Sequence, residues 1–379
     1  MRVALPRAAA PAGVTVVVPC YRYGRYLPGI VAGILAQTDV DARVIIVDDA
    51  SPDDSAAVAR GIAQGDSRVT VLVHERNAGH IATYNDGLAL VETEFVSLVS
   101  ADDLVAPGAL GRATRLMSAH PRVGMVYGAV VDFVDDDAPS GEYRWGAESW
   151  SVWNGADWLH RVARRARNPV LSPEVVMRTA ALRDVGAYNP RLPHSGDLEF
   201  WLRTAARWDV GRVNGRAQAF YRVHGANMHL EHFVATADDL RERGRAFAEL
   251  AAHELPARVD GRRIDGRREN DLAQAALGRE ALRDACRRLD RGADAESVLP
   301  LVEFAREQIE GADATWLGRA TARRTRQAAA NAHPARAQRA IEFARGQADR
   351  LRWKSHNVFG IGNIAKSTAP RPVIVTADA

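Results

Sequence analysis

The first part of the chain alternates short apolar runs with segments of helical spacing. The apolar runs are rich in β-branched residues, as buried strands are, and the segments between them repeat apolar positions every three to four residues, as helices do. Strands that alternate with helices in this way indicate a largely parallel sheet covered on both faces. We predict strands at Val14–Cys20, Arg43–Asp49, Val69–His74, Phe95–Ser100 and Val123–Phe133, and helices at Tyr26–Gln37, Asp53–Gln64, His80–Val91 and Pro107–Ala119.

The pattern changes after the fifth predicted strand. Residues 132–168 contain an acidic stretch and four tryptophans. They predict a long excursion from the sheet, whose tryptophans either pack against the helical region or form a platform for an acceptor. The sheet is predicted to resume at Val170–Arg178, followed by a helix at Asp197–Trp208 and a last strand at Ala217–Val223. Leu230–Arg352 is rich in Ala, Arg and Glu with helical spacing, which indicates a separate helical region.

These patterns divide the chain into three parts. Residues 1–229 form the predicted α/β domain, residues 230–355 the helical C-terminal region, and residues 356–379 a tail that contains Pro and Gly. The helical region carries no catalytic motif. A homodimer formed through it is one use that we expect for these helices.

Composition narrows the possible functions. The chain has 379 residues, of which 47% are hydrophobic and 26% charged, as in a globular protein with a substantial core. A net charge of +3 does not favour nucleic acid as a partner. The only lysines are Lys354 and Lys366, which disfavours P-loop and Schiff-base enzymes. The only cysteines are Cys20 and Cys286, which excludes a cysteine zinc site and a disulfide framework.

The N-terminal segment predicts no targeting signal. Residues 1–13 lack the apolar core of a signal peptide. No stretch of the chain approaches about 18 uninterrupted apolar residues, so no transmembrane span is expected. A cytoplasmic location is therefore the expectation from sequence.

Acidic pairs follow two of the predicted strands. Asp48-Asp49 end the second strand and Asp102-Asp103 follow the fourth. Ligands of parallel α/β sheets bind beyond the carboxyl ends of the strands. A carboxylate there can accept hydrogen bonds from a base or a ribose, and a pair of them can hold a divalent cation on a diphosphate. Taken alone, each pair is equally compatible with helix caps or solvated loops.

Other polar positions add to these pairs. Asn77-Ala78-Gly79 precedes a predicted helix and suits close approach of a nucleotide to backbone N–H groups. No GxGxxG motif follows the first strand, which disfavours a dinucleotide-binding oxidoreductase. Asp197 begins a helix, either as a cap or as a general base. His224 ends the last predicted strand, and its imidazole suits Mn²⁺ better than Mg²⁺.

In combination, these positions resemble the family-2 inverting glycosyltransferases of GT-A fold. The resemblance runs from about Val14 to Met228, with the blocks in the order of the family. Ser100 stands where the family often has Asp. The blocks are VVVPCY from Val16, IIVDDAS from Ile45, NAG from Asn77 with NDG from Asn85, SADD from Ser100, GDLEFWLR from Gly196 and YRVHGAN from Tyr221.

The resemblance implies a nucleotide-diphospho-sugar transferase-like fold and an inverting transfer from a nucleotide sugar, with UDP as the expected nucleotide. The acceptor would be a hydroxyl or amine of a sugar or small molecule, and the transferred group a hexose or N-acetylhexosamine. The resemblance further implies that Asp197 is the general base and that Asp103 and His224 bind Mn²⁺ or Mg²⁺. The donor nucleotide would contact Pro19, Tyr21, Asp48, Asp49, Asn77, Gly79, His80 and Asp102.

Two other interpretations of the residues remain open. A nucleotidyltransferase also uses paired carboxylates, but it would need a Gly-rich basic loop after the first strand. The segment Tyr21–Arg25 offers one Gly and two Arg. A non-catalytic protein that binds sugar nucleotides would use Asp197 only as a helix cap.

Overall fold

The structure is a computed structural model that describes residues 11–134, 139, 141, 143–224, 237–253, 258–259, 262–330 and 373–376. These residues form a nine-stranded main sheet, a three-stranded sheet and a two-stranded hairpin, surrounded by helices. The predicted α/β class with helices on the faces of a mostly parallel sheet is confirmed.

Strands and helices alternate in the first part of the chain as predicted. The side chains of residues 14–18 in the first strand are all buried because helices cover both faces of the sheet at this point. The elements are β1 (Ala12–Cys20), α1 (Leu27–Leu35), β2 (Val40–Asp48), α2 (Ser55–Gly65), β3 (Val69–Val73), α3 (His80–Ala89), β4 (Phe95–Leu98), β5 (Leu104–Val105), α4 (Ala109–Ala119) and β6 (Val123–Tyr127).

The second part of the chain completes both sheets and adds the helical region. Its first elements are β7 (Val130–Val134), β8 (Arg144–Trp153), α5 (Gly155–Ala163), β9 (Val176–Arg178), α6 (Thr179–Val185), α7 (Gly196–Ala205), β10 (Asp209–Arg216) and β11 (Ala219–Val223). The remaining elements are α8 (Ala237–Ala252), β12 (Arg258–Val259), β13 (Arg262–Arg263), α9 (Gly266–Asp290), α10 (Leu299–Gln308), α11 (Trp316–Ala329) and β14 (Val373–Thr376).

The main sheet has the strand order β14-β8-β10-β6-β9-β4-β1-β2-β3. Strands β4, β1, β2 and β3 run parallel to one another. Strand β9 runs antiparallel to both β4 and β6, and β8 runs antiparallel to β10 and β14. The small sheet has the order β5-β11-β7. The carboxyl ends of β1, β2 and β4 therefore share one edge, beside the small sheet.

The structure departs from the predictions at several places between β6 and β11, including Val170–Arg178, of which only Val176–Arg178 is a strand. Val123–Phe133 is not one strand, because the chain leaves the main sheet after β6 and enters the small sheet as β7. The amide of Gly128 at this break donates to the buried Glu174 carboxylate at 3.2 Å. Residues 132–168 are not simply an excursion, because β8 returns to the main sheet beside β10. Strand β10 itself was missed, since its sequence DVGRVNGR mixes Gly and charged residues with few apolar ones.

The tryptophans of β8 and α5 serve mainly as core residues. Trp150, Trp153 and Trp158 are at most 7% exposed, whereas Trp145 is 37% exposed. Trp153 and Trp158 share a buried cluster with residues of the helical region, as the first of the two alternatives predicts, whereas Trp150 belongs to the cluster around β1 and α1.

The helical region shares a core with the α/β domain. Phe247 of α8 and Leu277 of α9 belong to the same buried cluster as Leu198 and Trp201 of α7.

Within the predicted tail, Val373–Thr376 pairs with β8 as an edge strand. Among the helices that the structure describes, none combines the length and apolar character needed to cross a membrane.

Helix α3, which begins at the predicted site residue His80, packs closely on β1 and β2 through Gly87. A Cβ atom at this position would overlap Val17 and Val47. We expect Gly87→Ala to lower the free energy of unfolding by about 1–3 kcal/mol through overpacking, measured by chemical denaturation. The control is Gly61→Ala on α2, where nothing lies within 4 Å of a new Cβ. That change should raise stability by about 0.4–1 kcal/mol, and equal effects at the two positions would contradict the packing argument.

Candidate active site

The small sheet brings the end of β11 to the acidic pair that follows β4. Strand β5 begins immediately after Asp103, and its Leu104 lies opposite Phe220 of β11. This antiparallel register places Arg222 and His224 alongside the acidic pair. The backbone N–H of Arg222 donates to Asp103 Oδ1 at 3.0 Å, and its Nε donates to the Asp102 carbonyl at 3.0 Å.

The structure pairs His224 with Asp102, and it gives Asp103 a different environment. His224 Nε2 lies 3.0 Å from Asp102 Oδ2. The Asp103 carboxyl is 2% exposed and accepts the Arg222 N–H. Burial, with a contribution from Asp102, raises the pKa of Asp103 well above its usual range. The geometry therefore favours Asp102 over the predicted Asp103 as the partner of His224 in binding a cation.

Asp49 holds the loop that precedes α3. Its carboxylate accepts hydrogen bonds from His74 Nδ1 at 2.8 Å, from the Ala78 amide at 2.7 Å and from the Gly79 amide at 3.0 Å. Burial acts to raise the pKa of Asp49, but these hydrogen bonds and the nearby His74 outweigh it and lower the pKa. The loop also needs Gly79, whose φ of 84° is strained for other residues.

Asp48 differs from Asp49 because one of its oxygens is unused by the described residues. Its Oδ1 accepts the Ser51 amide at 3.0 Å. Its Oδ2 is buried and has no hydrogen-bond partner in the part of the chain that the structure describes. A buried acceptor without a donor is costly, so this oxygen is suited to an N–H or O–H group of a ligand.

The other residues predicted to contact a nucleotide lie around the same edge. Asn77 Nδ2 donates to the Asp49 carbonyl at 3.3 Å, and the His80 ring nitrogen Nε2 is 2.8 Å from the Pro193 carbonyl. Tyr21 follows β1 and is 43% exposed, next to the partly buried Pro19. His80 thus connects α3 to the loop that precedes α7.

Asp197 occupies the first turn of α7 and is only partly buried. Ser172, in the short 3-10 turn before β9, donates its hydroxyl to Asp197 Oδ2 at 2.6 Å. Burial raises the pKa of Asp197. Hydrogen bonds from Ser172 and Tyr188 and the nearby His80 and His194 act to lower this pKa, but burial outweighs them. A carboxylate that is accessible and more basic than usual is suited to accept a proton.

Tyr84 of α3 packs between two aromatic rings at the site. Its ring centroid lies 5.5 Å from that of His80 and 5.6 Å from that of Tyr188. Burial raises the pKa of Tyr84, and the negative charges of Asp197, Asp102 and Asp103 raise it further.

Three residues of this site were not predicted from the sequence: Tyr84, Ser172 and Tyr188. Tyr84 lies one helical turn after His80, and this spacing is the only signal that could have indicated it. Ser172 and Tyr188 contact Asp197 through tertiary packing alone, and neither lies in a motif.

The residues present fit a divalent cation that is held partly by its substrate. Asp102 and His224 supply one oxygen and one nitrogen donor, a set that Mn²⁺ accepts. Among the described residues, no group of three or more His, Cys, Asp or Glu side chains could hold a metal ion. A cation here would need further oxygens, such as those of a diphosphate.

Comparisons with known proteins agree with this geometry. Residues 15–183 match the family model described as glycosyl transferase family 2. The succinoglycan biosynthesis protein ExoU of Rhizobium meliloti is 35% identical over 105 residues, which are 28% of this chain and 30% of ExoU. This chain thus spans less than a third of the length of that relative.

Solved structures share the fold. S. aureus TarS 1–349 in complex with UDP-GlcNAc has a TM-score of 0.58 at 16% identity, over 83% of this chain and 90% of that one. The mannosyltransferase PcManGT from Pyrobaculum calidifontis, in complex with GDP-Man and Mn²⁺, has a TM-score of 0.50 over 93% of this chain and 88% of that one. At such low identity the likeness concerns the fold.

Proposed function

We propose that this chain is a family-2 glycosyltransferase of GT-A fold, as the match of residues 15–183 supports, and that it transfers a sugar from a nucleotide sugar to an acceptor hydroxyl or amine with inversion. Asp197 serves as the general base. The observation that carries this proposal is the contact between α3 and the loop before α7, in which His80 Nε2 lies 2.8 Å from the carbonyl of Pro193. In this proposal the proton acceptor Asp197 and the diphosphate-binding pair of Asp102 and His224 face one crevice.

The nucleotide lies over the carboxyl ends of β1 and β2 in this proposal. The unpartnered Asp48 Oδ2 accepts a hydrogen bond from the nucleoside, and the backbone around Gly79 approaches it closely. Asp49 acts indirectly, because its carboxylate is already occupied by the His74 ring and two amides. UDP is the proposed nucleotide, supported by the complex of the structurally similar TarS with UDP-GlcNAc.

A divalent cation assists departure of the diphosphate. Asp102 and His224 would hold it together with phosphate oxygens, and the Mn²⁺ in the PcManGT complex supports this assignment. When bound, the cation neutralises the negative charge that develops on the leaving group. Sequence analysis placed Asp103 in this role, but its carboxylate is engaged with the Arg222 amide.

The proposed sugar transfer is a single displacement at the anomeric carbon. Asp197 accepts the proton of the acceptor O–H or N–H while that oxygen or nitrogen forms a bond to the anomeric carbon. The bond from the anomeric carbon to the diphosphate oxygen breaks, and its electron pair leaves with the nucleoside diphosphate. Attack opposite to the leaving group inverts the anomeric carbon. Holding both reactants in one crevice lowers the barrier by proximity.

The test is a donor assay with a panel of nucleotide sugars, with and without Mn²⁺. Release of a nucleoside diphosphate, together with a glycosylated acceptor of inverted configuration, supports the proposal. Pyrophosphate release would indicate a nucleotidyltransferase instead. Nucleotide-sugar binding without turnover across acceptor classes would indicate a binding protein.

Ser172 provides a further prediction about pH. Its hydroxyl favours the ionised form of Asp197, because it donates to the carboxylate. Removing it in Ser172→Ala raises the pKa of Asp197, so the acidic limb of the kcat/KM profile should move to higher pH. Loss of this hydrogen bond should reduce the stabilisation of the ionised Asp197 carboxylate by about 1.5–3 kcal/mol, the usual contribution of a hydrogen bond to a charged group.

The matched control for this prediction is Ser97→Ala. Ser97 is also a buried hydroxyl near the site, but it donates to the Val175 carbonyl at 2.6 Å. Its removal should leave the acidic limb in place. An unchanged pH profile in Ser172→Ala would contradict the argument.

A further inference from the structure

The helix that carries Asp197 takes its N-terminal cap from the helical region. Ser195 precedes α7 but makes no side-chain capping hydrogen bond. Glu242 of α8 instead accepts the backbone N–H of His194 at 2.6 Å and that of Ser195 at 2.9 Å through one oxygen. Glu242 is 9% exposed. The amides at the start of a helix need acceptors, and here a carboxylate 47 residues away supplies one.

A second carboxylate of α8 contacts the same loop. Asp239 lies three residues before Glu242, which places both side chains on one face of the helix. Asp239 Oδ1 lies 2.9 Å from His194 Nε2. Burial acts to raise the pKa of Asp239, but His194 and Arg243 outweigh it and lower the pKa. His194 is thus bound through its backbone and its ring by the same helix.

Helix α8 is itself fixed to its surroundings. Arg243 contacts Asp239 Oδ2 at 3.0 Å and Glu280 of α9 at 3.1 Å. Its guanidinium also donates to the Ala166 carbonyl at 2.9 Å. Glu280 in turn accepts Arg167 of the α/β domain at 2.8 Å. This network joins α8, α9 and the end of α5, so that α8 cannot shift without breaking buried ion pairs.

We infer that α8 positions the catalytic base, with Glu242 and Asp239 holding the loop before α7 so that Asp197 points into the crevice. The inference rests on the proposed function, since it concerns the position of the Asp197 carboxylate as the general base. The loop contacts lie two and three residues before Asp197, so a shift of the loop is passed directly to the carboxylate. A displacement of about 1 Å at a reacting group can cost about 100-fold in rate.

The test compares Glu242→Ala with Asp238→Ala in the full chain. Asp238 lies on the same helix, but its side chain is 81% exposed and pairs only with the neighbouring Arg241 among the contacts described. We expect Glu242→Ala to lower kcat by about 10- to 100-fold while the Kd for UDP, measured by calorimetry, stays unchanged. Asp238→Ala should retain the kcat of the parent protein. Glu242→Gln keeps an acceptor oxygen and should recover most of the rate.

A positioning role predicts a further result that a merely structural role does not. In an Asp197→Asn background, Glu242→Ala should cause no additional loss of kcat, because both changes act through the same base. An additive loss, or a normal kcat in Glu242→Ala alone, would overturn the inference. If Glu242→Ala does not fold, Glu242→Asp replaces it: the withdrawn carboxylate should lower kcat with unchanged UDP affinity, and a normal kcat would overturn the inference.

The experiment separates this inference from the proposed function. If Asp197→Asn alone retains full activity, the assignment of the base is wrong. If Asp197→Asn is inactive and Glu242→Ala is normal, only the role of α8 is wrong.

Discussion

Asp197→Asn is expected to lower kcat by about 10²- to 10⁴-fold, the usual contribution of a general base. Asparagine has nearly the same shape and can still accept the Ser172 hydrogen bond, but it cannot take up the acceptor's proton. The Kd for the donor nucleotide should be unchanged, because Asp197 contacts the acceptor side of the crevice in our proposal. Initial-rate measurements over a range of acceptor concentrations, with calorimetry for UDP, give both quantities.

The control for this variant is Asp54→Asn. Asp54 also stands at the start of a helix, is exposed, and makes no side-chain capping hydrogen bond. It should keep the rate of the parent protein. If Asp197→Asn kept that rate as well, Asp197 would be no more than a favourable charge at a helix N-terminus.

Removal of divalent cations by EDTA should also reduce transfer strongly. The stabilisation of a leaving group by a metal is worth several kcal/mol, so we expect a loss of about 10²- to 10³-fold in kcat. Added Mn²⁺ should restore the rate. Full activity in EDTA would exclude the proposed role of a cation.

The two adjacent aspartates test which carboxylate binds that cation. Asp102→Asn should raise the Mn²⁺ concentration needed for half-maximal activity by about 10-fold or more, because Asp102 lies beside His224. Asp103→Asn should leave this concentration unchanged, since the amide oxygen can still accept the Arg222 N–H. The opposite result would restore the interpretation derived from sequence, in which Asp103 is the ligand.

The fold class was predictable from the sequence and is confirmed, and the predicted family agrees with the match of residues 15–183 to the model of glycosyl transferase family 2. The parallel strands were predictable because they are buried on both faces and appear as continuous apolar runs, as in β1 and β2. The same logic failed for β10, because DVGRVNGR has no continuous apolar run although most of its residues are buried. It also failed at Gly128, where tertiary contacts decide that the chain changes sheets.

The only site residues that could be predicted from the sequence are those that directly follow a predicted strand or begin a predicted helix. Asp48, Asp102 and Asp197 were found in this way. Which carboxylate faces His224 depends on the register of β11 against β5, and a motif contains no information about that register. Ser172, Tyr188 and Glu242 contribute through contacts between distant segments, so they carry no local signal. The site residues themselves stay predictions until the variants above are measured.

The buried cluster that runs from α7 into α8 and α9 has a consequence for how such chains diverge. A module can be exchanged between relatives without loss of stability only when it brings its own apolar interior. Phe247 and Leu277 fill space next to Leu198 and Trp201, so a foreign helical region would leave voids or clashes beneath α7. Variation in the C-terminal helices must therefore occur together with compensating changes in the sheet-bearing part, as gradual co-evolution and not as recombination of modules.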